Sequence, residues 1–87
     1  MQLPERIAAS WVKSLPDAEL LNAESELHDV FLVAEHEERR RRGDAYELAR
    51  GSAELMLAWQ RWSMVSFATR ARGLHARYRA PANQRAR

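Results

Sequence analysis

The 87-residue chain has no cysteine, a single lysine, three glycines and three prolines. Without cysteine it can build neither a disulfide framework nor a thiolate zinc site. No apolar run approaches the roughly 18 residues that a membrane span needs. The opening Met1-Gln2-Leu3-Pro4-Glu5 lacks the basic and apolar regions of a signal peptide, so a cytoplasmic location is expected. No glycine-rich stretch is suited to cradling a phosphate, and no serine has plausible histidine and acidic partners. The segment after residue 54 contains no acid at all. Few glycines, prolines and β-branched residues leave little to punctuate or build a sheet.

What is present describes one small globular domain. Hydrophobic residues make up 46% and charged residues 30%, too apolar for a disordered chain and too short for two cores. The net charge of +2 conceals a gradient. Residues 1–38 carry nine acids against two bases, whereas residues 55–87 carry seven arginines and no acid. Such opposed halves imply internal pairing or a basic end meant for an acidic partner. Abundant arginine and alanine also fit a GC-rich bacterial or phage coding sequence.

Hydrophobic spacing predicts three helices. Leu3, Ile7, Trp11 and Leu15 recur every four residues, with Ala8 and Val12 beside them, giving a short helix over 4–14 with Pro4 in its first turn. Pro16 ends it, and Asp17 is placed to cap a second helix over 17–42. Along that helix Leu20, Ala23, Leu27, Val30, Phe31 and Ala34 form one seam, opposite Glu19, Asn22, Glu26 and Asp29. Gly43 is suited to closing the helix with a positive φ. Asp44 and Glu47 have capping-box spacing, so a third helix is expected over 44–72, with one unbroken helix over 17–72 as the alternative. Gly73 followed by Leu74 resembles a helix end with its hydrophobic contact. The fold class is therefore all-α: an antiparallel helical hairpin of 17–42 and 44–72 with a short docked N-terminal helix. Residues 1–72 form the domain and 73–87 a basic, partly disordered tail.

The third helix carries a wider apolar arc than a single packing contact requires. Leu55, Met56, Trp59, Trp62, Met64 and Phe67 are the candidates for an interface, and a homodimer is the simplest cover for them. Arg70, Arg72, Arg77, Tyr78, Arg79, Arg85 and Arg87 form a second candidate set, for nucleic acid or an acidic protein surface, because arginine pairs with phosphate and a tyrosine ring can stack on a base.

The run Arg39 to Arg42 reads instead as a self-paired helix end, with Glu35–Arg39, Glu37–Arg41 and Glu38–Arg42 each four apart. Residues 48–54 lack the spacing of a helix-turn-helix turn. His28 lies one turn after Glu24 and two turns before Glu35, a spacing that matches neither the Glu-x-x-His of carboxylate bundles nor His-Glu-x-x-His, so no metal or cofactor is expected. Arg70 and His75 have the Arg-x4-His spacing of HEPN-type ribonucleases, but the helix-ending Gly73 lies between them. The expected function is that of a non-enzymatic binding protein acting through protein contacts. Nucleic-acid binding through the arginine-rich end is the alternative.

Overall fold

The computed structural model describes residues 3–74, and these fold into three α-helices without a strand. Helix α1 spans Ala9–Ser14, α2 spans Asp17–Arg42 and α3 spans Ala53–Ala71. Two single 3-10 turns, Gly43–Ala45 and Leu48–Arg50, lie in the connection between α2 and α3. The two long helices pack as an antiparallel hairpin: Ser52, Trp62 and Arg72 meet Glu38, Glu24 and Asp17 in turn.

Both bounds of α2 agree with the sequence reading, because Pro16 and Gly43 punctuate them. Pro16 itself is the N-cap residue, however, and Asp17 is already helical. Gly43 has φ +56° and ψ −126°, a conformation that penalises any side chain, and its N–H closes the helix on the Arg39 carbonyl. Gly73, with φ +75°, turns the chain after α3 and delivers Leu74 into the core, where it is buried. The buried core therefore reaches beyond the domain end expected at residue 72.

Helix α1 begins at Ala9, not at Pro4. The described residues before it run over α3 instead of coiling. The Pro4 carbonyl accepts from Arg61 Nε at 3.1 Å and the Ile7 carbonyl from Gln60 Nε2 at 3.3 Å. These tertiary bonds replace the intrahelical ones, and Ile7 still reaches the core.

The start of α3 also differs from expectation. Asp44 lies in a 3-10 turn and caps nothing, and Glu47 is extended. The cap is Ser52, whose Oγ accepts from the Leu55 N–H at 3.2 Å. In a capping box the third helical residue would bond back to the N–H of the cap. Here Leu55 occupies that position, and Glu38 of α2 supplies the acceptor from across the hairpin, taking the Ser52 N–H at 3.2 Å. Tyr46 explains why the chain does not coil earlier. Its hydroxyl donates to Glu35 Oε2 at 2.9 Å and its ring lies under the Arg39 guanidinium at 4.3 Å, which holds the connection against α2.

The core has two parts. At the open end of the hairpin Ile7, Val12, Leu15, Leu20, Ala23, Leu27, Val65 and Leu74 are buried together. Near the connection Phe31, Leu55 and Ala58 form a smaller cluster. Trp62 packs against both and joins them.

Helix α1 has only six residues and would not persist alone. Arg72, at the far end of α3, holds its last turn. The guanidinium donates to the Val12 carbonyl at 3.1 Å, the Leu15 carbonyl at 2.8 Å and Asp17 Oδ1 at 3.0 Å. It satisfies the Leu15 carbonyl, gives the Val12 carbonyl a second donor beside the Leu15 N–H, and ties both to the start of α2. Arg72→Ala is expected to cost about 2 kcal/mol, from hydrogen bonds worth roughly 0.5–1.5 kcal/mol each. Arg72→Lys should recover little, because one ammonium cannot reproduce the fork. Urea unfolding of the three proteins measures both effects.

Candidate interaction surface

The six interface candidates separate by environment. Leu55 is buried, and Trp62 and Met64 are half-buried against the core. Trp62 is held on three sides: its Nε1 donates to Glu24 Oε2 at 2.8 Å, its ring stacks on Phe31 at 5.2 Å, and His28 lies 4.7 Å away. His28 is thus packed on an indole, and no group of three metal-ligating side chains occurs among the described residues. Met56 is half-buried. Of the six, Trp59 at 38% and Phe67 at 76% are the exposed ones.

Helix α2 adds exposed apolar side chains to those expected on α3. Val30 is 42% exposed, a correction to its place in the buried seam, and Leu32 and Val33 are 44% and 66% exposed. The signal was available, since Val30 to Ala34 is a run of five apolar residues and one helix face cannot bury them all. Val30 lies at the edge of the seam, where a groove opens between α2 and α3. That groove is floored by Val30, Val33, Leu57 and Ala58 and rimmed by Asp29, Glu37, Glu54 and Arg61. A second groove, between α1 and α3, is lined by Val12, Met64, Phe67 and Ala68, with Lys13 and Arg72 at its edge.

The arginines are largely committed. Arg39 pairs with Glu35 and Arg42 with Glu38, as the spacing suggests. Glu37 takes Arg40 at 3.0 Å instead of Arg41, and Arg41 turns to Glu38 at 2.6 Å. Glu38 is 1% exposed and gathers both guanidiniums and the Ser52 N–H, while Arg42 also donates to the Arg50 carbonyl at 3.0 Å. The helix end is therefore a structural clasp more than a basic patch. Arg72 is used within the fold, and Arg70 is exposed at the end of α3. Arg77, Tyr78, Arg79, Arg85 and Arg87 lie outside the described residues, as does His75.

Among the described residues one titration is perturbed. Partial burial, and next the hydrogen bond and charge of Glu35, raise the Tyr46 phenol above its ordinary 10.0, with Arg39 opposing. A raised folded-state value contributes stability that is complete below the unfolded value and is lost as pH rises through the folded one. In a Tyr78→Phe background the phenolate absorbance should therefore titrate above 10.0, and Glu35→Gln should bring it down.

No protein-family model, curated protein or solved structure matches the chain. Among the described residues no helix is long and apolar enough to cross a membrane. The class of protein is defined by architecture alone: an all-α hairpin with a short third helix docked on one side.

Proposed function

We propose that the chain is a small non-enzymatic binding protein, a regulator, adaptor or inhibitor that works through protein–protein contacts and associates with itself. One observation carries this reading. Both long helices leave large apolar side chains in water, Val30, Leu32 and Val33 on α2 and Trp59 and Phe67 on α3, while the interior is well formed without them. Apolar side chains left in water at grooves that charged residues border are a usual mark of an interaction site.

Nucleic-acid binding is the second reading. It is favoured by the absence of any acid after residue 54 and by the exposure of Arg70. The deciding experiment titrates labelled DNA and RNA across a salt series with the full chain and with Arg77, Arg79, Arg85 and Arg87 replaced by glutamine. No binding at low salt supports protein contacts. Tail-dependent binding that weakens steeply with salt, as released counterions require, moves the function to nucleic acid.

A further inference from the structure

The two grooves differ in charge as well as place. The groove between α2 and α3 has an apolar floor of Val30, Val33 and Leu57, and its rim carries the acids Asp29, Glu37 and Glu54 with one cation, Arg61, whose Nε is turned to the Pro4 carbonyl; among the described residues Asp29 and Glu54 form no ion pair there. The groove between α1 and α3 presents the opposite features. Phe67 stands 76% exposed beside it, and Lys13, which forms no ion pair among the described residues, lies at its edge. An apolar slot with an acidic rim and an aromatic knob with a cation beside it are complementary, and one chain carries both.

We propose that the occupant of the α2–α3 groove is a second copy of this chain, which inserts Phe67 between Val30, Val33 and Leu57 and sets Lys13 against Asp29 and Glu54. Leu57 and Phe67 are ten residues apart on one helix, about 15 Å at 1.5 Å per residue. Slot and knob are thus separate on each copy, and a twofold axis allows each copy to give its knob and receive the other's. That reciprocal exchange closes a dimer. A large aromatic ring moved from water into an apolar slot is the kind of contact that dominates interface energetics. The rim charges select the partner more than they strengthen the contact. The inference rests on the protein-contact reading above and gives it a specific surface.

Sedimentation velocity over a concentration series tests it with the full chain. The wild type should dimerise. Phe67→Ser and Val33→Asp should each weaken the dimer by about 30-fold or more, as expected for loss of a hot spot. Both side chains are exposed in the single chain, so circular dichroism should show the fold unchanged. Lys13→Glu should weaken association, and adding Glu54→Lys to the same chain should restore part of it. Phe67→Ser mixed with Val33→Asp should associate better than either alone, because one intact slot then meets one intact knob.

A chain that stays monomeric at several hundred micromolar overturns the proposal, as does an open series of oligomers. A dimer indifferent to Phe67 and Val33 but lost in Trp59→Ala also overturns it, while leaving the protein-contact reading in place. Tail-dependent nucleic-acid binding removes that reading without touching the dimer result, so the two failures are distinguishable.

Discussion

Trp62→Ala is expected to lower stability by about 3–5 kcal/mol, the range for truncating a large aromatic residue in a core. A domain of this size has only about 5–15 kcal/mol to lose. Three losses coincide at Trp62. The ring is the contact shared by the two parts of the core. It provides the stacking surface for Phe31 and His28. Its N–H is the hydrogen-bond partner of Glu24, an acid only 4% exposed. A buried carboxylate that loses its donor carries a desolvation penalty of its own. Trp62→Phe helps to separate the causes, because it keeps one aromatic ring for the stack while removing the N–H and the rest of the indole. Urea denaturation should place Trp62→Phe between wild type and alanine. If Trp62→Ala unfolds at the wild-type midpoint, the bridging role is wrong. If Trp62→Phe is as damaging as alanine, the Glu24 bond outweighs the stacking.

Glu38→Ala should cost about 2–3 kcal/mol, less than Trp62→Ala but more than a typical surface ion pair. The cost depends on what is left behind. Arg41 and Arg42 are 59% and 36% exposed, so both can return to water when their acid is removed. The Ser52 N–H is less easily compensated, since it begins α3 inside a packed corner. Glu38→Gln keeps an acceptor for that N–H and should recover about half of the loss, judged by the value of one hydrogen bond. Thermal unfolding by circular dichroism ranks the three proteins. Equal melting points for alanine and wild type would mean that Ser52 alone sets the start of α3.

These two positions also mark the limit of what the sequence discloses. The seam residues Leu20, Ala23 and Leu27 were legible because burial of apolar side chains is periodic, and Pro16 and Gly43 gave α2 its bounds. Glu24 and Glu38 are acids on the same inward side of α2, and nothing in a charge pattern separates a buried acid from a solvated one. Their partners, the Trp62 indole and the Ser52 N–H, lie 38 and 14 residues away. The start of α3 was misjudged for a related reason. Asp44 with Glu47 has the local spacing of a cap, but the cap that formed draws its second bond from another helix. At the surface, the wide apolar arc of α3 was legible, but not which of its six candidates stay in water: Trp59 and Phe67 are exposed and Leu55 is buried. The contribution of α2 was obscured by counting only the seam. Arg72 read as part of a free basic end because its targets are mainly backbone carbonyls, which carry no sequence signal.

The Arg72 fork sets an order of assembly. Its carbonyl acceptors lie 57 and 60 positions earlier in the chain. A nascent chain appears from its N-terminus, so the segment that becomes α1 is synthesised first and waits for nearly the whole domain before its last turn can be secured. The hairpin can close without it through nearer contacts, such as Glu38 with Ser52. Of the three described helices, the one made first is then expected to lock last and, in the finished protein, to let go first. Amide hydrogen exchange should show this as faster exchange at Val12 and Leu15 than at Leu27.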